Sequence, residues 1–144
     1  MMIIRQLSVF LENKPGRLCA ATDTLAKKGI NISALTLADT AEFGILRLIV
    51  DQPDLAREVL TESGVVVRIS EVIAVAMDDA PGGAGGILHL LSEAGLNVEY
   101  MYAFANGSDA SAVLKSDNPA KVVEVLKSTG FDVWDADEAY RANC

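Results

Sequence analysis

The first third of the chain uses two different spacings of apolar residues. Leu7, Val9 and Leu11 are separated by single residues, which is the period of a half-buried β-strand. After Pro15-Gly16 the apolar positions follow a helical period until Gly29. Because proline is favoured in the first turn of a helix and glycine just beyond its end, these residues predict the limits of that helix.

Three further strands, one helix and a connecting turn are predicted before residue 70. In order, the same signals predict a strand over residues 30–37, a polar turn over 39–43, a strand over 44–50, a helix from Pro53 to Gly64 and a strand over 65–69. The order strand-helix-strand-strand-helix-strand is that of the ferredoxin-like motif. Right-handed crossovers place both helices on one face of an antiparallel sheet, so the predicted fold class is α+β.

The chain also repeats itself. When the sequence is shifted by 66 residues, so that Pro15 falls on Pro81, it matches itself without a gap, which indicates a duplicated unit. The matching segments are Pro15-Gly16 with Pro81-Gly82, Gly29-Ile30-Asn31-Ile32 with Gly95-Leu96-Asn97-Val98, Asp51-Gln52-Pro53 with Asp117-Asn118-Pro119, and Glu58-Val59-Leu60 with Glu124-Val125-Leu126. The sequence therefore predicts two ferredoxin-like βαββαβ domains, over residues 1–70 and 71–144. No polar linker separates them, so the two halves are expected to pack together.

One strand of the second copy is apolar on both sides. Tyr100, Tyr102 and Phe104 alternate along it, while Val98 and Met101 also need burial although they have opposite parity. The change of parity predicts a β-bulge between Val98 and Met101. Apolar residues on both sides also predict that the sheet face away from the helices is covered by the other repeat, a second chain or a ligand.

Charge and composition narrow the range of partners. The formal charge of −8 at pH 7 disfavours phosphate backbones and anionic membranes, so neither a nucleic acid nor a membrane is an expected partner. The apolar runs are too short to span a bilayer, and residues 1–6 lack the pattern of a secretory signal. Cys19 and Cys144 lie far apart in sequence and are expected to be reduced thiols in a cytoplasmic protein.

The first strand-to-helix junction carries a family motif. The segment Glu12-Asn13-Lys14-Pro15-Gly16-Arg17-Leu18, followed by Gly29-Ile30-Asn31-Ile32, resembles the ACT domain, and the resemblance covers essentially the whole chain, twice. It implies a βαββαβ regulatory module that binds a free amino acid, often between two such domains. It also implies a homodimer formed through sheet or domain packing and a metabolic enzyme as a partner, with no cofactor and no catalytic residue.

A strand-to-helix junction suits such a ligand on physical grounds. The N-terminus of a helix carries unpaired N–H groups and a partial positive charge, which attract a carboxylate. Gly16 and Gly82 allow a close approach to the backbone, while Asn13 and Asn31 offer amide donors and acceptors to a zwitterion. Because Asn31 begins the strand beside the one that ends at Asn13, we expect both asparagines to reach the same loop. The predicted ligand-binding residues are Asn13, Lys14, Pro15, Gly16, Arg17, Leu18, Asn31 and Ile32 in the first copy, and Asp79, Ala80, Pro81, Gly82, Gly83, Asn97 and Val98 in the second.

Simpler structural explanations exist for the same residues. Pro15-Gly16 can be a plain helix start, Asn13 a helix cap and Asn31 part of a turn. The second copy also has Gly83-Ala84-Gly85-Gly86 in place of Arg17-Leu18-Cys19-Ala20, and Asp79 in place of Asn13. Because an aspartate repels a carboxylate, the sequence leaves open whether the second copy carries a site.

Three other function classes compete with ligand sensing. An enzyme is disfavoured because the single histidine, His89, belongs to no recognisable catalytic motif, and His, Cys and carboxylates do not cluster as metal ligands. RNA-recognition motifs share the βαββαβ order but need basic surroundings. A module that binds only proteins stays open as the alternative function.

Overall fold

The computed structural model describes residues 2–39, 43–78, 80–106 and 109–141. Its elements in chain order are β1 (Ile4–Glu12), α1 (Arg17–Lys27), β2 (Ile32–Asp39), β3 (Phe43–Val50), α2 (Pro53–Glu62), β4 (Val66–Asp78), α3 (Gly83–Glu93), β5 (Val98–Asn106), β6 (Asp109–Ser116), α4 (Pro119–Ser128) and α5 (Ala136–Arg141). This order confirms the predicted α+β class with two ferredoxin-like repeats. Among the described helices, none is long and apolar enough to cross a membrane.

Contacts divide the chain into two compact units. One unit, called the N-terminal unit, consists of Arg5–Ser70 together with the chain from Tyr140 onward, and the other, the C-terminal unit, consists of Glu71–Ala139 together with the chain up to Ile4. The first part of β4 belongs to the N-terminal unit and the rest of β4 to the C-terminal unit, so no loop separates the two units along the chain.

In the N-terminal unit the strand order is β2-β3-β1-β4. β3 pairs antiparallel with β1 and β2, so that Leu48 lies opposite both Leu7 and Leu35. Alternate residues of β1 and β3 face the helices and are buried with the apolar faces of α1 and α2. The buried core of this unit consists of Leu7, Val9, Leu11, Ala21, Leu25, Ile30, Leu46, Leu48, Val50, Ala56, Val59 and Leu60.

The start of α1 differs from the expectation. Gly16 has a left-handed backbone with φ of 85°, and the helix begins only at Arg17. Pro15 therefore precedes the helix and does not lie in its first turn, because a left-handed residue cannot continue a right-handed helix. The predicted stop at Gly29 is confirmed by its φ of 71° just beyond the helix.

In the C-terminal unit β6 lies between β4 and β5 and pairs antiparallel with both. The register shifts between Val98 and Tyr100, which confirms the predicted bulge, and a matching shift lies between Ile32 and Ala34 in the first copy. The buried core consists of Ile73, Val75, Ile87, Leu91, Ala112, Leu114, Val122, Leu126 and Val133.

The final strand expected in the second copy is replaced by a single bridge between Val75 and Val133. The reason lies immediately downstream, where the Glu138 N–H donates to the Asp135 carboxylate at 2.9 Å and the Asp135 N–H donates to the Glu138 carboxylate at 3.4 Å. This reciprocal pair is a capping box, which starts α5 where the strand would otherwise continue.

Candidate functional site

The connection between β1 and α1, residues 12–18, is called the first corner. The Lys14 N–H donates to the Glu12 carbonyl at 2.8 Å, and the Arg17 N–H donates to the Lys14 carbonyl at 3.3 Å, which folds the loop into a tight turn. The side chains of all seven residues are exposed. In the part of the chain that the structure describes, no atom lies within 4 Å of the position where a Cβ on Gly16 would stand. The surface above Gly16 is therefore open.

Among the residues that the structure describes, no side chain caps the N-terminus of α1. The first N–H groups of a helix have no partner within the helix, and they carry the positive end of its dipole. Asn13 was one candidate for a cap, but its side chain does not serve as one. By contrast, the side chain of Asn118 caps α4 by accepting from the Lys121 N–H at 3.3 Å. Apart from the Arg17 N–H, which donates to the Lys14 carbonyl, the first amides of α1 are thus available to an anion from solution.

Two cations and one carboxylate meet at the first corner. The Lys14 ammonium lies 2.9 Å from the Glu12 carboxylate, and the Arg17 guanidinium lies 3.9 Å from the same carboxylate. The hydrogen bond from Lys14, and then the positive charges of Lys14 and Arg17, hold the pKa of Glu12 below its ordinary value. At neutral pH the corner therefore combines two positive charges and one negative charge beside the positive end of a helix.

The pairing of Glu12 with Lys14 predicts a measurable pH response. The Lys14→Ala variant should raise the pKa of Glu12 back toward its ordinary value, because the hydrogen bond from Lys14 is the largest cause of the lowering. A carboxylate with a lowered pKa stabilises the fold above its unfolded-state pKa. That contribution is lost as the pH falls below 4.5 and through the folded-state pKa. A carboxyl-detected NMR titration measures the shift, with Lys27→Ala as a control at the other end of α1. An unchanged Glu12 titration in Lys14→Ala would contradict the pairing.

The equivalent connection between β4 and α3, residues 78–84, is called the second corner. Its turn has the same form, since the Gly83 N–H donates to the Ala80 carbonyl at 3.0 Å, Gly82 has φ of 86° and, among the residues that the structure describes, no side chain caps α3. Its charge differs, because Ala80 and Gly83 stand where the first corner has Lys14 and Arg17. Asp79 lies outside the described residues.

The second corner also differs from the first in the space available to a side chain at residue 83. A Cβ on Gly83 would overlap with the carbonyl oxygen of Asp78, the last residue of β4. The helix thus approaches the preceding strand so closely that residue 83 cannot carry a side chain without a local shift. The second corner thus lacks the counterparts of the two cations, Lys14 and Arg17, that would hold a carboxylate at the first corner.

The structure does not bring Asn31 and Ile32 to the first corner. Glu12 lies opposite Phe43 at the start of β3, whereas Ile32 lies opposite Val50 at its end. The seven residue-to-residue steps from 43 to 50 span about 24 Å in an antiparallel strand. The expectation that Asn13 and Asn31 reach the same loop of one unit is therefore wrong.

The second copy shows the same separation. Asp78 lies opposite Asp109 at one end of β6, while Val98 lies opposite Ser116 at the other end. Asn97, which precedes Val98, is exposed at that far end. Neither unit on its own combines its corner with the asparagine of the Gly-apolar-Asn-apolar step.

Asn31 has a clear structural task where it lies. Its N–H donates to the Asp51 carboxylate at 3.0 Å, and the Asp51 N–H donates to the Asn31 carbonyl at 3.2 Å. This pair of bonds joins the start of β2 to the end of β3. Sequence reasoning missed Asp51, although the repeat pairs it with Asp117.

Glu12 was the other residue missed as part of the site. The signal available in the sequence was its spacing from two cations. Glu12 lies two residues before Lys14 and five before Arg17, with the Pro-Gly turn between Lys14 and Arg17. Cys19, in the first turn of α1, is exposed and close to the corner. Its thiol donates to the Asp23 carboxylate at 3.5 Å, which raises its pKa and disfavours the reactive thiolate.

Comparisons with known proteins agree with this architecture. The family model of the ACT domain pair matches residues 2–140. A solved structure from Bacteroides thetaiotaomicron is 44% identical, covers 97% of both chains and has a TM-score of 0.93. The ligand-free regulatory subunit of aspartate kinase from Thermus thermophilus is 14% identical, covers 88% of this chain and 92% of its own, and has a TM-score of 0.68. The corresponding subunit from Thermus flavus is 14% identical, covers 86% and 90%, and has a TM-score of 0.63. Among curated proteins, none matches this chain significantly.

Proposed function

Because this chain belongs to the family of ACT domain pairs, we propose that it is a non-catalytic regulatory protein that senses a free amino acid. The observation that carries the proposal is the uncapped, exposed N-terminus of α1 beside Lys14 and Arg17. The amides and the two cations suit the ligand carboxylate, while the Glu12 carboxylate and the Asn13 carbonyl suit its ammonium. A zwitterion satisfies both sets of groups at once.

The first corner is the proposed site. Its groups are Asn13 and Lys14, the backbone of Pro15-Gly16, and the side chains of Arg17 and Leu18. Asn31 and Ile32 stay in the proposal only as part of a site that a second chain completes, because their own unit holds them at the end opposite the first corner. In the second copy, we do not propose that a carboxylate binds at Ala80, Pro81, Gly82 and Gly83. Asn97 and Val98 are assigned the same role as their counterparts Asn31 and Ile32.

A non-catalytic role agrees with the position of the single histidine. His89 lies exposed on α3, and its counterpart in the first copy is Asp23. Within the described residues, no three of His, Cys, Asp and Glu come together as potential metal ligands.

The proposed output is a change of assembly. An amino acid shifts a conformational or assembly equilibrium only through its different affinities for the two states. We propose a cytoplasmic homodimer that docks on a metabolic enzyme. The fold shared with the regulatory subunit of aspartate kinase supports such a partner.

A thermal-shift screen of the full chain against the twenty amino acids tests the proposal. At a hundredfold excess over its dissociation constant, a ligand adds about 2.7 kcal/mol to the free energy of unfolding. For the amino acid that responds, its amide derivative, which lacks the carboxylate, should give no shift. A flat response to every amino acid would instead favour the alternative function, a module that binds only proteins.

The double variant K14A/R17A locates the site. It should weaken the binding of the responding amino acid by at least about a hundredfold, since each charge-assisted hydrogen bond contributes roughly 1.5–3 kcal/mol and the variant removes two of them. The matched control K27A/K28A removes the same charge from the other end of α1 and should change the dissociation constant by less than about twofold at moderate salt. Isothermal titration calorimetry gives both values. Equal losses in the two variants would mean that the ligand responds only to the overall charge, which contradicts a site at the first corner.

A further inference from the structure

Two leucines beside the first corner expose apolar surface. Leu18 lies in the first turn of α1 and is 37% exposed. It continues the helix face of the buried residues Ala21 and Leu25, so its side chain is directed toward the sheet. Leu37 on β2 lies opposite the buried Leu46 and is 46% exposed. Both leucines therefore lie on the helix side of the sheet.

The side chain of Leu37 reaches toward the first corner. Its Cδ1 atom lies 3.0 Å from the position where a Cβ on Gly44 would stand, two residues before Leu46 along β3. Gly44 lies opposite Leu11, the residue before Glu12, so it borders the end of β1 at the corner. Because Gly44 has no side chain, Leu37 extends across this position. We call the resulting surface the apolar shelf; it consists of Leu18, Leu37 and the backbone of Gly44.

The residues of the apolar shelf are not repeated in the second copy. Ala84 and Ala103 stand in place of the two leucines, and Ala110 stands in place of the glycine. The same copy has Ala80 and Gly83 in place of the two cations of the first corner. The apolar residues and the cations thus occur together in one copy and are replaced together in the other. One ligand that contacts both sets of residues explains this association.

A bound amino acid at the first corner places its side chain next to the apolar shelf. The Leu18 N–H is one of the first amides of α1, to which the proposed ligand carboxylate binds, so the ligand Cα lies close to the shelf. The shelf carries no charged or hydrogen-bonding side chain. A polar ligand side chain would therefore lose hydration there without gaining a partner, whereas an apolar side chain gains by leaving water.

We propose that the amino acid bound at the first corner has an apolar side chain, which lies on the apolar shelf. This inference rests on the proposed amino-acid site and adds the chemical class of its ligand. The corner recognises the carboxylate and ammonium that all amino acids share, and the shelf selects among their side chains. Variants of the corner should therefore weaken all amino acids alike, and variants of the shelf should change only the preference among them.

Leucine and asparagine test the class of the ligand, because their side chains have similar shapes and differ in polarity. Leucine should bind the full chain at least about tenfold more tightly in isothermal titration calorimetry. In the series alanine, 2-aminobutyrate and norvaline, the affinity should rise by about fourfold with each methylene. Asparagine binding as tightly as leucine would overturn this inference and leave an amino-acid site in place. No response to any amino acid would overturn the proposed function as well.

The double variant L18A/L37A tests the apolar shelf, because it introduces the alanines of the second copy. It should weaken leucine by about tenfold and asparagine by less than about twofold, so that the preference is lost. The matched control is Leu35→Ala, since Leu35 is exposed on the same strand and face as Leu37 but two residues further from the corner. It should keep the preference. Equal weakening of leucine and asparagine in L18A/L37A, or loss of the preference in Leu35→Ala, would overturn the inference.

Discussion

The Leu25→Ala variant is expected to lower the free energy of unfolding of the N-terminal unit by about 3–5 kcal/mol. Leu25 is fully buried on α1, and its removal leaves a cavity among the core residues of that unit alone. Leu91, its counterpart in the repeat, is 1% exposed in the core of the C-terminal unit. Leu91→Ala should therefore weaken the other unit by a similar amount.

Hydrogen exchange measured by mass spectrometry distinguishes the two effects. We propose domain boundaries at 1–70 and 71–144, so Leu25→Ala should speed exchange mainly in β1 and β3, and Leu91→Ala mainly in β6 and the second half of β4. Leu88→Ala is the matched control, because Leu88 lies on the same helix as Leu91 but is 40% exposed, and it should cost less than about 1 kcal/mol. If Leu25→Ala speeds exchange equally in both units, the chain unfolds as one cooperative unit and the proposed boundary does not separate independent domains.

Local sequence signals account for most of the fold. The alternation of Leu7, Val9 and Leu11 and the helical period after Gly16 each depend on neighbouring residues, and the repeat allowed every signal to be read twice. The bulge after Val98 was predictable for the same reason, since a change of parity is visible along one strand. Elements whose cause lies within a few residues were therefore identified from the sequence.

The errors concern relations between distant residues. Asn31 follows α1 in the chain, which made it look like a neighbour of the first corner. In a split βαβ unit, however, β1 and β2 run parallel, so the start of β2 lies near the start of β1 and far from its end. The sequence did contain the reason that the second copy lacks its final strand, namely the capping residues Asp135 and Glu138. That strand was expected only because the first copy has one at the same position.

Charge geometry at the first corner could be predicted only in part. The sequence shows Glu12, Lys14 and Arg17 close together along the chain, but only the pair of Glu12 with Lys14 lies before the turn at Gly16. The 3.9 Å approach of Arg17 to Glu12 spans that left-handed turn, so it could not be predicted from spacing alone. All three side chains stay about half exposed, so their ion pairs contribute little to stability.

The Gly83→Ala variant is expected to destabilise the protein by about 1–3 kcal/mol, whereas Gly85→Ala, two residues further along the same helix, should stabilise it by about 0.5–1 kcal/mol. A Cβ on Gly83 would overlap with the Asp78 carbonyl oxygen, so either α3 or the end of β4 must move. In the part of the chain that the structure describes, a Cβ on Gly85 would meet nothing within 4 Å, and alanine is the better helix former. Urea unfolding of the two variants measures the difference, and a shift of the same sign in both would contradict the close approach of α3 to β4.

This pair of variants also bears on why the two corners differ. Arg17 is the counterpart of Gly83, and it supplies one of the two cations of the first corner. If residue 83 cannot hold even a methyl group without strain, it cannot hold an arginine, and the second corner could not acquire the same carboxylate site by that substitution alone. The close approach of α3 to β4 would then be the physical reason that the duplicated chain keeps its proposed amino-acid site at the first corner.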